Sequence, residues 1–332
     1  MTATMQGVVI ARPGGPEVLE IQERERPTAG ANEILVRVRA TALNRADLLQ
    51  RQGRYPAPPG VVADVPGLEF AGEVEALGSG TAGWRAGDRV FGIIGGGGHA
   101  EYVAVHEHAV ARVPDGMSWE TAAAVPEAFI TAHDALVVQA GVRSGERVLV
   151  HAVGSGVGLA SIQLARAWGA IPYGTVRTPD KVYRARDYGL EDGVVVGADV
   201  EEIVRAAERW TSGKGINVTL DLVGGPYLDA SVRASALKAR IMLIGTVAGR
   251  SANLSLGVVL GKRVTIRGTV LRSRSVDEKI AATRAFAADV LPLLERGTVE
   301  AVIDSVFELA QIREAHERLE SNETFGKVVL RV

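Results

Sequence analysis

The chain is constrained most by Val148-Leu149-Val150-His151-Ala152-Val153-Gly154-Ser155-Gly156-Val157-Gly158 and the residues that follow it. An apolar run of strand character ends in three closely spaced glycines. Val157, Ala160, Leu164 and Trp168 then recur at helical spacing, Gly169 marks a stop, and a second apolar run covers Ile171 to Val176. Strand, tight turn, helix and strand make a βαβ unit of roughly thirty residues. Glycine at such a turn lets the backbone come close to a pyrophosphate, and the helix N-terminus presents unpaired N–H groups and partial positive charge. The spacing is Gly154-x-Gly156-x-Gly158 with Ala160, not a strict G-x-G-x-x-G. A turn whose glycines only bend the chain would read the same locally. The flanking strand and helix favour a dinucleotide.

Composition narrows the rest. At 332 residues the chain has room for two domains. A net charge of -2 with mixed signs gives no basic field for nucleic acid or anionic lipid. No apolar run reaches bilayer length, and the first residues lack an export pattern, so the expectation is a cytoplasmic protein. Cysteine is absent, which excludes disulfides, thiolate metal sites and cysteine nucleophiles together.

Before the βαβ unit the chain reads as β-rich. Val8 to Ile10 and Val18 to Gln22 flank a Pro-Gly-Gly-Pro turn, Ile34 to Ala40 alternates as a half-buried strand, and Asn44 to Gln52 is short and polar. Tyr55 to Gly60 is a stiff proline loop, and Gly95 to Gly98 precedes a strand over Ala100 to Val105. That glycine run is either a mobile cleft rim or a flexible hairpin loop. From Ser118 the chain turns to alanine-rich helix, expected through Ala122 to Gln139. After the unit, Asp199-x-x-Glu202 and Ser275-x-x-Glu278 read as capping boxes, and Pro292 should kink the helix after the second. Val218 to Val223, Arg240 to Gly245 and Val264 to Val270 read as strands. The alternation predicts an α/β fold with a doubly wound parallel sheet.

Ala42-Leu43-Asn44-Arg45-Ala46-Asp47-Leu48-Leu49-Gln50-Arg51-Gln52-Gly53-Arg54-Tyr55, Pro126-Glu127-Ala128, His151 to Gly158, Leu271 to Arg274 and Gly326 to Leu330 occur in this order. On these blocks the chain resembles the zinc-independent medium-chain dehydrogenase/reductases, and among them the quinone oxidoreductases (the zeta-crystallin family), especially the tumour-suppressor-inducible subgroup. The resemblance implies a GroES-like catalytic domain from residues 1–122 and 271–332, a Rossmann domain over 123–270, and a homodimer joined through the Val264 to Val270 edge. The family pattern A-x-x-G-x-x-G appears as Ala152-x-x-Ser155-x-x-Gly158, a serine that the subgroup shares. A subgroup tyrosine near the adenosine phosphate is replaced by Val196.

Past the second strand of the unit stand Arg177, Thr178 and Lys181, a planar cation, a hydroxyl and an ammonium suited to a 2′-phosphate, although Asp180 adds a negative charge. NADPH is therefore expected over NADH. The resemblance adds cofactor contacts from Thr131, Ala152, Ser155, Gly156, Val157, Gly158, Gly245, Leu271 and Lys327. It puts Tyr55 and Asn44 beside the nicotinamide and Asp47 behind them. Tyr55 either donates a hydrogen bond to the reduced oxygen or walls the site, and Asp47 suits a structural acceptor better than a proton donor. Arg272 to Arg274 could equally be a solvated turn.

Zinc relatives in this superfamily carry cysteine and histidine where Asn44 and Leu68 stand, and neither can serve as such a ligand. Without a metal to polarise a carbonyl, electron-poor acceptors remain, namely quinones and enones. The expected function is NADPH-dependent quinone reduction. The alternatives are a 2-alkenal or enoyl reductase and an NADPH-binding protein with little turnover.

Overall fold

The computed structural model describes residues 3–332, which divide into two compact units: Met1–Ile130 with Leu271–Val332, and Thr131–Val270. The first unit opens with a hairpin of β1 (Thr4–Ile10) and β2 (Leu19–Glu25), paired antiparallel. It continues through β3 (Glu33–Leu43), α1 (Arg45–Arg51), β4 (Glu69–Leu77), β5 (Arg89–Ile93), β6 (Tyr102–His106), β7 (Val110–Arg112) and α2 (Trp119–Ala123). In β3 the alternation holds only in part: Ile34, Val36 and Val38 are buried and Arg37 is exposed, but Leu35 on the face of Arg37 is buried too.

α3 (Pro126–His133) runs from one unit into the next, and π-helical turns over Asp134–Gln139 continue it. The second unit then alternates strand and helix: β8 (Arg147–Val150), α4 (Gly156–Ala167), β9 (Ile171–Val176), α5 (Pro179–Arg186), β10 (Asp192–Val195) and α6 (Glu201–Thr211). β11 (Ile216–Asp221), α7 (Pro226–Ala234), β12 (Ser235–Leu243), α8 (Leu256–Lys262) and β13 (Thr265–Gly268) complete it. All six strands are parallel, ordered β10-β9-β8-β11-β12-β13. That is the 3-2-1-4-5-6 order of a Rossmann sheet, so the glycine turn after β8 lies at the switch point where the order reverses.

The chain returns to the first unit with α9 (Val276–Asp289), α10 (Leu291–Glu295), β14 (Ile303–Glu308), α11 (Ile312–Glu320) and β15 (Lys327–Arg331). β15 sits between β14 and β3, in the order β14-β15-β3-β4-β5-β7 with β6 also on β3. Leu43, Leu48, Ile312, Val328 and Leu330 share one core on this sheet, so the last strand of the chain helps to bury the third.

Three expectations change. The division falls after Ile130, not after residue 122. The helix expected over Ala122 to Gln139 is broken at Ala124–Val125, because Pro126 has no N–H to continue it and disfavours helical angles in the residue before it. Asp199 and Glu202 form no capping box: α6 starts at Glu201, and Asp199 Oδ1 accepts from the Glu201 N–H at 2.9 Å. The Ser275–Glu278 box does form, and Pro292 separates α9 from α10.

Candidate active site

Strand register assembles the polar cluster of the first unit. Val328 pairs with Leu43 in the β15–β3 ladder, which sets Lys327 opposite Asn44 where β3 ends and α1 begins. β4 starts alongside with Glu69, and the Thr41 hydroxyl on β3 donates to the Glu69 carbonyl at 2.6 Å. Lys327 Nζ consequently donates to Glu69 Oε1 at 2.6 Å, to Asn44 Oδ1 at 2.6 Å and to the Leu43 carbonyl at 3.0 Å. Asn44 Nδ2 donates back to Glu69 Oε1 at 2.9 Å, so the orientation of the amide is determined on both atoms. The second oxygen, Glu69 Oε2, accepts from the Glu127 main-chain N–H at 2.8 Å. All three ammonium protons and both carboxylate oxygens have partners, which is what lets an ion pair exist without water.

Asp47 lies behind Asn44, fully buried. Its Oδ2 accepts from the Asn44 N–H at 2.7 Å and its Oδ1 from the Gly67 N–H at 3.0 Å, so it clamps the start of α1 to the loop before β4. His99 faces it across 3.9 Å and shares a 3.1 Å hydrogen bond between Nδ1 and the Thr41 hydroxyl. Because that hydroxyl gives its own proton to Glu69, Nδ1 carries the imidazole proton. Burial lowers the His99 pKa, partly opposed by the Asp47 carboxylate.

Arg272 is 4 % exposed, not part of a solvated turn. Its Nε donates to the Gly95 carbonyl at 2.8 Å, and its terminal nitrogens reach the Tyr55 carbonyl at 3.2 Å and Gln50 Oε1 at 2.5 Å. The guanidinium also lies 4.8 Å from the Tyr55 ring centre. One side chain thereby pins the proline loop and the glycine run together. Gly97 and Gly98 hydrogen-bond to Val65 and Gly67, and a Cβ at Gly95 or Gly96 would press on Val61. The glycines here permit close packing, where a loose rim or flexible hairpin was expected.

Tyr55 is half-buried, and burial raises its phenol above the ordinary value against the opposing pull of Arg272. Glu127, in the first turn of α3, keeps partial access to solvent. Burial, and then the Glu69 carboxylate, push it up to about 8, with Lys327 opposing. The sequence expectations did not include Glu69, Glu127, His99 or Arg272 among site residues. A carboxylate heading the apolar run Phe70-Ala71 and another behind Pro126 among alanines were the only local signals.

In the second unit the glycine turn is built for close approach. Ala152 takes a left-handed φ of 54°, Ser155 caps α4 by accepting from the Gly158 N–H at 3.1 Å, and a Cβ on Gly158 would lie 2.5 Å from the Ala152 carbonyl. Ala152, Ser155, Gly156 and Val157 stay partly accessible, and the helix itself cannot satisfy the N–H groups of its first turn. Arg177 and Thr178 are exposed at the end of β9, Thr178 is hydrogen-bonded to Asp180, and Lys181 is buried. Among the described residues the Thr131 hydroxyl is buried without a hydrogen-bond partner. Gly245 follows β12 where a Cβ would press on the Leu222 carbonyl, Leu271 is buried in the first unit, and Val196 is buried after β10.

An alcohol dehydrogenase GroES-like domain model matches residues 30–115, and a zinc-binding dehydrogenase model matches residues 181–330. The chain is 34 % identical over 320 residues to a quinone oxidoreductase of Pseudomonas aeruginosa, covering 96 % of each chain. It is 32 % identical over 326 residues to a component of the pikromycin polyketide synthase of Streptomyces venezuelae, covering 96 % of this chain but 8 % of that one. A quinone oxidoreductase structure from Pseudomonas syringae is similar, with a TM-score of 0.88, 28 % identity and coverage of 99 % and 100 %. So is that of a mycobacterial protein complexed with NADPH, at 0.87, 28 %, 99 % and 100 %. The chain belongs to the medium-chain dehydrogenase/reductase superfamily, in its quinone oxidoreductase family.

Proposed function

We propose that the protein is an NADPH-dependent quinone oxidoreductase that works without a metal ion. The observation that carries this reading is the Lys327 ammonium, bonded to both Asn44 and Glu69. The cluster already holds its own cation, and an amide, a lysine and a leucine at Leu68 cannot replace thiolate and imidazole ligands. The site accordingly suits acceptors that take a hydride without Lewis-acid help, for which orientation and dry surroundings suffice.

The second unit fits a nicotinamide dinucleotide. The first turn of α4 with Ser155, Gly156, Val157 and Gly158 would hold the pyrophosphate, and the unpartnered Thr131 hydroxyl would meet a polar group such as the carboxamide. Arg177 and Thr178 would hold a 2′-phosphate, with Lys181 behind them, and Gly245 would line the nicotinamide half. When bound, the cofactor supplies the hydride. Asn44 and Tyr55 would border the acceptor, while Asp47 keeps α1 in register.

The shared Ser155 supports placement in the tumour-suppressor-inducible subgroup. A homodimer is supported by β13, an edge strand, and by the exposed Leu256 and Leu260 of α8 in the same unit. Among the described residues no helix is long and apolar enough to cross a membrane.

The deciding experiment follows NADPH and NADH oxidation by purified protein with 1,4-benzoquinone, a bulkier ortho-quinone and a linear enone. Fast quinone turnover with NADPH supports the reading. The match to part of a polyketide synthase favours the enoyl reductase alternative, and enone-only turnover would select it. Saturable NADPH binding with no turnover would leave a binding protein.

A further inference from the structure

We propose that Glu127 is a catalytic residue of this site, the acid that delivers a proton to the oxygen of the acceptor. The assignment rests on the quinone-reductase reading above and names a role that the reading leaves open. Besides Glu69, whose two oxygens are already taken by Lys327, Asn44 and the Glu127 N–H, three side chains of the cluster carry a proton-exchanging oxygen: Asp47, Tyr55 and Glu127. Both Asp47 oxygens are held by main-chain N–H groups in a fully buried position. The Tyr55 phenol is raised by burial, which makes it a still weaker acid at neutral pH.

Glu127 differs from both. Its backbone is fixed by the 2.8 Å bond from its N–H to Glu69 Oε2, whereas among the described residues its own carboxyl has no hydrogen-bond partner. It is also partly open to solvent, so a spent proton can be replaced. The charged and titratable groups around it are Glu69 on β4, Lys327 on β15, Asp47 on α1, Arg272 and, on α9, Lys279, with Tyr55 beside them. Burial and the two carboxylates outweigh the cations, and a value of about 8 leaves Glu127 protonated at neutral pH.

The step balances. The acceptor gains two electrons and one hydrogen as a hydride from the reduced nicotinamide, whose C–H bond breaks. The Glu127 O–H bond then breaks as an O–H bond forms on the anionic oxygen of the acceptor. The carboxylate left behind faces Lys327, Arg272 and Lys279 until a solvent proton restores it. Quinone, NADPH and one proton become hydroquinone and NADP⁺.

The test combines two readouts on the intact chain. Infrared titration of the cofactor-free protein should show a carboxylic-acid band that disappears near pH 8 and is missing in Glu127→Gln. In turnover with 1,4-benzoquinone, the wild-type rate should fall as pH rises through the same range. Glu127→Gln should be slower by about a hundredfold near pH 6.5 with a flat profile, while Glu127→Asp keeps a sloped one. A band already lost by pH 6, or wild-type turnover with an unchanged rate and profile in Glu127→Gln, overturns the proposal. A wild-type protein that turns over no quinone overturns the functional reading together with this step.

Discussion

Lys327 Nζ and Glu69 Oε1 lie 2.6 Å apart with side chains 5 % and 0 % exposed, a cation and an anion buried together although 258 residues separate them in sequence. Everything else in the cluster is arranged around that pair. Removing one partner leaves the other charge buried and unpaired, which costs about 3–5 kcal/mol. Lys327→Met should therefore lower the unfolding midpoint in denaturant markedly, and adding Glu69→Gln should restore most of the loss. Equal midpoints for Lys327→Met and wild type would show that the pair contributes nothing to stability.

Arg272 holds three acceptors, one in each of two loops and one on α1, and only a guanidinium has the spread of donors to do so. Arg272→Lys should behave nearly as badly as Arg272→Ala. Both should speed proteolytic cleavage and amide exchange over residues 53–68 and raise KM for a quinone by about tenfold or more. Protection at wild-type levels in Arg272→Ala would mean that the proline loop holds itself.

Stability should depend on pH through Glu127. Its folded value of about 8 lies above the ordinary 4.5. Between these values the folded chain keeps a proton that the unfolded chain has lost, so this contribution is complete below about pH 4.5 and fades as pH rises toward 8. Glu127→Gln should flatten the fall in stability across that window. Parallel denaturation curves for variant and wild type from pH 5 to 8 would contradict it.

At the glycine turn, a Cβ on residue 158 would meet the Ala152 and Val153 carbonyl oxygens at 2.5 and 2.7 Å, both backbone atoms that cannot swing away. Gly158→Ala should abolish dinucleotide binding measured by nicotinamide fluorescence and reduce stability by about 1–3 kcal/mol. Retained affinity would show that the turn is only a connection.

Arg177→Ala should weaken NADPH more than NADH, since an exposed guanidinium at the end of β9 has a 2′-phosphate to lose only in the former. Titration of both cofactors decides it. Equal losses would remove Arg177 from the phosphate site, and Asp180, already bonded to Thr178, would then dominate that loop.

The sequence alone determined the parallel sheet, the glycine turn, the capping box at Ser275 and the inward face of β3, because each is written in local periodicity or in residue types with special backbone freedom. The break before Pro126 and the loss of a cap box at Asp199 are not legible in the periodic pattern, because a proline and a nearer backbone donor compete with it. The charged cluster was decided only by tertiary structure. Lys327 and Asn44 are neighbours through the β15–β3 register, and Glu69 is buried because β4 starts beside both. A lone carboxylate in a strand looks the same in sequence whether it meets water or an ammonium. Burial, which gives Glu127 its affinity for a proton and turns Arg272 inward, is a property of the packed chain and of no single segment.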